Sequence, residues 1–309
     1  MLTPQTVAAA DPLPVFYTCS FSCEDVVLQV TVNGFPLYSL PSSGNSGSQT
    51  SLIAQFFRKG TNEVLIQATP QNGADGNPKS SHIFVAELFG GDTIESSVTS
   101  VLKVQKLVDR SAEEPTGKTV FEAEGAVLAQ LKSVGSQDGG TMEYKYPTKE
   151  VRYLPANGVQ STLKLTLELP QTPLDNLPWL SPPPVIDATE QIAIKQAVMA
   201  FHSALVAQDW ATVTSLLDVK YERVATAGGI AKADVVTQTQ AVFDEAFSSA
   251  GFVIAPLAPA DLTVVPIAGL NLVKVEKAGV PPIRGAGTKY NYAAQVFLSK
   301  IAGIWRIVE

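Results

Sequence analysis

Six side chains between positions 202 and 292 have the chemistry for acid-base work: His202, Tyr221, Asp261, Glu276, Tyr290 and Tyr292. Proton abstraction from a small molecule needs a carboxylate or imidazole held in an apolar pocket, with a tyrosine or a protonated acid to stabilise the oxygen that gains charge. His202 stands four residues after Val198, at the border of an apolar stripe. It reads as a general base or, more economically, as a boundary histidine with satisfied hydrogen bonds. Asp261 follows Pro259 and opens a strand, which favours a turn role over a buried base. Tyr290, Tyr292, Ala294, Val296 and Leu298 fall on one face of a strand, where the two tyrosines could line the mouth of a pocket. Phe201, Tyr290, Tyr292 and Val296 form the candidate ligand-binding set. No residue is assigned as catalytic; His202, Asp261 and Tyr292 are the candidates an enzyme would use.

Other chemistries find less to work with. Glu276 shares the polar face of its strand with Lys274, the pattern of a solvated face, and Asp209 sits where it would cap a helix. The carboxylates Glu113, Glu114, Glu122 and Glu124 read as solvated charges. The two histidines, His82 and His202, lie far apart, and no G-x-S-x-G elbow precedes either, so no serine triad assembles. Gly285-Ala286-Gly287 lacks the following helix and the lysine of a phosphate-binding loop. Arg284, in the same Gly/Pro stretch, is read as part of a hairpin tip, where it would contact a protein partner. Cys19 and Cys23 sit ahead of a predicted strand; in an extended chain they would lie about 13 Å apart, against the roughly 7 Å a disulfide tolerates, so a bridge would need a turn or bulge there. No metal site or cofactor is expected from these residues.

The elements that must carry these side chains change character along the chain. Val26, Leu28, Val30 and Val32 alternate with polar or outward residues and run into Asn33-Gly34, a tight-hairpin signal. Leu52–Phe57 and Glu63–Ala68 follow, with the segment from Pro41 to Ser51 read as an exposed loop. Further strands are expected at His82–Phe89, Val98–Val108, Thr119–Leu131, Met142–Tyr146 and Ser161–Leu169, which together argue for an antiparallel sandwich. From Pro170 to Val185 six prolines exclude a helix or central strand, so 171–186 reads as a semi-rigid linker. Beyond it, Ile194, Val198, Phe201 and Leu205 recur at spacings of 4, 3 and 4, an amphipathic helix capped by Asp187 or Thr189. A second helix starts after Asp209, and a third covers Lys232–Ser249. Strands then return at Leu262–Ile267, Leu270–Lys277, Lys289–Ser299 and Gly303–Glu309.

Two resemblances follow from quoted segments. AVMAFHSALVAQDWATVTSLL at 197–217 and AAQVFLSKIAGIWRIVE at 293–309 resemble the helical segment and the closing hairpin of the nuclear transport factor 2-like superfamily. That resemblance implies an α+β cone with three helices packed on a curved, mostly antiparallel sheet, and a pocket at its mouth; members include isomerases and dehydratases as well as domains without catalysis. VTVNGFPL with FFRKGTNEVLIQATP resembles the jelly-roll modules that accompany carbohydrate-active enzymes. It implies sugar binding on an exposed aromatic platform of Phe35, Tyr38 or Phe57.

With 45% hydrophobic and 17% charged residues, 309 residues can bury a substantial core. There are 12 basic and 17 acidic residues up to Pro170 and 10 and 12 thereafter, which account for the net charge of −7. No basic block stands out, so nucleic acid is not an expected partner. No apolar run reaches membrane-spanning length. The first residues lack the basic and apolar regions of an intact secretory signal, which leaves the compartment open between cytoplasmic and exported after processing. The expected organisation is a β-sandwich at 1–170, the linker, and an α+β domain at 187–309. The expected function is non-enzymatic binding of a small apolar ligand or a protein partner, with a homodimer through the C-terminal sheet as a further partner reading. An isomerase or dehydratase in the cone and a carbohydrate-binding accessory protein are the alternatives.

Overall fold

The computed structural model describes residues 16–40, 46–71, 83–91, 99–108, 117–123, 131–136, 141–145, 150–154, 161–169 and 172–309. The chain is mixed α and β, with antiparallel sheets and four α-helices among the described residues. It divides into two compact units, Met1–Asp175 and Asn176–Glu309.

In the first unit, β1 (Phe16–Glu24), β4 (Ser46–Leu52), β6 (Ile83–Gly91), β7 (Thr99–Val108) and β8 (Gly117–Ala123) form one sheet in the order β4-β1-β6-β7-β8. A second sheet has the order β3-β2-β5-β12-β9, from β2 (Val26–Val32), β3 (Phe35–Leu40), β5 (Gly60–Pro70), β9 (Leu131–Ser136) and β12 (Ser161–Leu169). The strands β10 (Thr141–Lys145) and β11 (Glu150–Leu154) pair with each other. The period-two expectation holds in β2, where Val26, Leu28, Val30 and Val32 are all buried. Asn33 and Gly34 take positive φ of 51° and 75°, the backbone a tight hairpin needs, and return the chain with Val32 opposite Phe35. Pro36 is tolerated because β3 lies at a sheet edge.

Three expectations are corrected here. Cys19 and Cys23 do not precede a strand; they lie inside β1, both buried, with Phe21 between them on the same face. They form no disulfide, as their spacing in an extended chain requires. The Pro41–Ser51 stretch is not wholly loop, because Ser46–Leu52 pairs with β1 from Leu52↔Thr18 to Ser46↔Glu24. Its Ser- and Gly-rich composition hides a strand that the ladder with β1 holds. The single strand expected over 119–131 is two, β8 and β9, which belong to different sheets. His82, Glu113, Glu114 and Glu124 lie outside the described residues, as does the Tyr38 side chain.

Buried polar side chains tie this unit's turns together. Asn62 is 1% exposed; its Oδ1 accepts from Arg58 N at 2.8 Å, and its Nδ2 donates to the Arg58 and Gly60 carbonyls at 2.7 and 2.8 Å. Asn33 donates to Phe56 O and Asn62 Oδ1, each at 2.8 Å, and accepts from Glu63 N at 3.0 Å. The Gly-x-Asn turn is therefore closed by its own asparagine, with every polar atom satisfied.

The second unit begins inside the proline-rich segment. Leu177 and Trp179 are buried around a 3-10 turn at Pro178–Leu180, whereas Ser181, Pro182 and Pro183 are exposed. The Arg223 guanidinium lies 4.6 Å from the Trp179 ring centroid, and Asn271 N donates to Trp179 O at 3.0 Å. Buried there, Arg223 donates to Val308 O at 2.7 Å; desolvation pushes its pKa down to about 10, partly opposed by the Glu309 charge.

Four helices follow: α1 (Ala188–Ala207), α2 (Trp210–Leu216), α3 (Asp218–Gly228) and α4 (Lys232–Ser248). Asp187 caps α1 by accepting from Glu190 N, and Asp209 caps α2 by accepting from Thr212 N and Oγ1. The predicted stripe Ile194, Val198, Phe201 and Leu205 is buried in full. The expectation of three helices is corrected by α3, which begins directly after Leu217 and ends at Gly229, whose φ of 59° suits a glycine C-cap. Its stripe of Tyr221 and Ala225 continues the four-residue spacing of Val213 and Leu217.

The strands of this unit form two antiparallel sheets. The first is β13 (Val253–Ile254), β16 (Ile283–Ala286) and β17 (Asn291–Ala294), in the order β13-β16-β17. The second, β14 (Leu262–Pro266), β15 (Val273–Lys277), β18 (Val296–Ile301) and β19 (Ile304–Ile307), runs β14-β15-β18-β19. The strand expected over 289–299 is interrupted at Gln295, and β17 and β18 pair in different sheets. Arg284 is also corrected: it lies within β16, not at a hairpin tip. The glycine around it reflects close packing, because a Cβ on Gly285 would come 2.7 Å from the Phe252 ring and 2.9 Å from Ile254 Cδ1.

Candidate functional site

Strand alternation gives the β13-β16-β17 sheet two unlike faces. Ile283 and Gly285 are buried on one face with Tyr292 and Ala294 beside them; Arg284, Ala286, Asn291 and Ala293 are exposed on the other. The inner face closes a cavity of about 350 Å³ with helices α1, α3 and α4. Phe201, Tyr221, Phe243 and Ala246 reach it from the helices, Tyr292 and Ala294 from β17, and Phe252 and Ile307 complete the apolar wall. Phe243 meets Tyr292 edge to face at 4.9 Å and packs on Trp210 at 5.4 Å, so an aromatic cluster fixes one side of the cavity.

Two phenols supply polarity inside this wall. Tyr221 is 3% exposed, and burial raises its pKa against the opposing effect of a hydrogen bond with Thr239. Burial raises Tyr292 further, with Tyr221 nearby adding to the rise. No described residue hydrogen-bonds the Tyr292 hydroxyl. Both phenols stay neutral at ordinary pH. Thr239 gives its hydroxyl proton to Val235 O, so the Tyr221 O–H is spent on Thr239 and Tyr292 is the phenol that can offer its O–H to an acceptor in the cavity. At the mouth, Lys220 pairs with Glu309 at 2.7 Å, and Tyr290 donates to Glu245 on α4. The Glu245 hydrogen bond and charge raise the Tyr290 pKa. Val242 is exposed at this mouth.

The structure brings together only part of the predicted set. Phe201, Tyr290 and Tyr292 line the cavity, but Val296 is fully buried in the core and does not reach it. His202 is buried with Nε2 2.9 Å from Ala255 O; since a carbonyl only accepts, Nε2 carries the proton and the ring is spent on structure. Asp261 is exposed, bridges Lys277 at 2.9 Å and accepts from Ala258 N, and these contacts hold its carboxyl below the usual range. It lines neither this cavity nor the opposite face of the sheet, so His202 and Asp261 are not assembled with Tyr292. Lys274 and Glu276 pair at 2.6 Å on their strand face. Phe35 and Phe57 are each 1% exposed and form no exposed platform. Tyr221, named among the acid-base side chains, was left out of the ligand-binding set because α3 was not read as a helix; the four-residue spacing from Val213 was the available signal.

Among the described residues no cluster of His, Cys, Asp or Glu could hold a metal ion, and no helix is long and apolar enough to cross a membrane. No family model, curated protein or solved structure matches the chain.

Proposed function

We propose that Asn176–Glu309 is a nuclear transport factor 2-like α+β unit that binds a small, largely apolar molecule without transforming it, and that the strand-rich unit before it is a β-sandwich. The order of helices followed by antiparallel strands supports the family reading. The observation that carries the binding reading is the Tyr292 hydroxyl, set in an aromatic wall with no hydrogen-bond partner among the described residues. A phenol that opens on an apolar cavity without an intramolecular partner has its O–H free for a ligand acceptor or for water. Two of the groups that a proton-transfer reaction would need are committed elsewhere, His202 to Ala255 and Asp261 to Lys277, and at the cavity the Glu309 Oε1 is paired with Lys220.

The neutral ketone fluorophore 6-propionyl-2-dimethylaminonaphthalene tests this reading, since it combines an apolar body with one strong acceptor. Saturable, blue-shifted emission is expected with the whole chain, together with loss of binding in Ala246→Trp, which fills the cavity. Absence of saturable binding, or equal binding by that variant with its fold intact, would refute the assignment. Native mass spectrometry of the freshly purified protein should also release a co-purifying small molecule that the filled variant lacks.

A further inference from the structure

The outer face of the same sheet carries a second depression, of about 580 Å³. Small residues make its floor: Ala255 beyond β13, Ala286 on β16 and Ala293 on β17. Pro256 and the hairpin after β15, through Val280 and Pro282, raise its sides. Val253 and Val280, at 63% and 40% exposed, leave apolar surface open along it.

Two cations border this trough, and they differ in how they are spent. Lys277 Nζ is held by Asp261 at 2.9 Å and by Pro256 O at 3.2 Å, so its charge is balanced locally. Arg284 projects from the same face as Ala293, its register partner, and no described carboxylate pairs with it. The trough thus presents one uncompensated guanidinium against an apolar floor, with the Asn291 side-chain amide on the same face.

We propose that this outer trough is a second binding site, for small monocarboxylates with an apolar body. The aliphatic part lies over Ala286, Ala293 and Val253, and the carboxylate takes a bidentate pair from Arg284. A guanidinium fork matches the two carboxylate oxygens in geometry as well as charge. A neutral molecule of the same shape gains only the apolar contact. Strand alternation turns Arg284 and Ala293 to the outer face, away from Phe201 and Tyr221, while Asn291 and Tyr292 border both depressions.

Calorimetric titration of the whole chain with decanoate, and separately with decanol, tests the assignment. Decanoate should bind more tightly than decanol. Arg284→Gln should weaken decanoate by about tenfold or more, as expected for a lost charge-assisted pair, and leave decanol unchanged. Decanoate should not displace the naphthyl ketone from the inner cavity. Lack of decanoate binding, indifference to Arg284→Gln with the fold retained, or competition with the naphthyl ketone would each overturn the proposal. Failure of the naphthyl ketone alone would count against the inner cavity and leave this site standing.

Discussion

Asn62 in the first unit and Tyr292 in the second are both polar side chains set among apolar neighbours, yet they are used in opposite ways. Asn62 closes its own turn, and each of its amide atoms is matched by Arg58, Gly60 or Asn33. Tyr292 packs its ring on Phe243, while no described residue hydrogen-bonds its hydroxyl. A polar group that is fully matched internally specifies a fold, whereas one left open at a cavity wall is available to a ligand. The contrast separates architecture from site without any appeal to relatives.

Substitutions can break this contrast at several strengths. The largest effect is expected from Asn62→Ala, which strands Arg58 N and the Asn33 amide in a buried turn and should destabilise the first unit by about 3 kcal/mol. All three tryptophans, Trp179, Trp210 and Trp305, lie in the second unit, so the loss is best read by hydrogen exchange at the β5 amides of Val64 and Ile66. Next comes Gly287→Ala. Its Cβ would sit 2.9 Å from Phe252 Cα, a backbone atom that cannot swing aside. Overpacking of this kind should cost about 2 kcal/mol in a denaturant melt followed by tryptophan emission. Tyr221→Phe removes the bond with Thr239 and should cost about 1 kcal/mol.

The pH dependence has two signs. Glu190 accepts from Lys300 and from the Trp305 indole, and these bonds hold its carboxyl below the usual range. A depressed folded-state pKa gives stability that is present above the ordinary value of about 4.3 and lost as pH falls through the folded value. Acid melts of the second unit should show this loss, and Glu190→Gln should flatten it. Tyr292 behaves oppositely: its raised pKa gives stability that holds below about pH 10 and declines as pH rises towards the folded value. Tyr292→Phe should remove that alkaline decline.

Much of the second unit was legible because its signals are local. The apolar stripe of α1 and the caps Asp187 and Asp209 each rest on a few neighbouring residues, and each stands as read. The hairpin at Asn33-Gly34 is local in the same sense. What escaped depends on partners distant in sequence. Ser46–Leu52 is a strand because β1 lies beside it, and Ser-Gly composition gives no hint of that. Gly285 reads as loop until Phe252 is seen pressed against it. The candidate site divides along the same line: Phe201, Tyr290 and Tyr292 followed from strand and helix periodicity, but Val296 did not reach the cavity because the chain breaks at Gln295. Tyr221 needed α3 to be recognised as a separate helix.

Whether the Tyr292 hydroxyl serves a ligand rather than the fold is decided by one paired measurement. Tyr292→Phe and the parent chain are compared in naphthyl-ketone affinity and in denaturant stability of the second unit at neutral pH. A stability change within about 0.5 kcal/mol and an affinity loss of about tenfold are expected, because the hydroxyl bonds the ligand and no described protein group. A stability loss of about 1 kcal/mol or more with affinity unchanged would contradict the ligand role, since the hydroxyl would then be serving the fold.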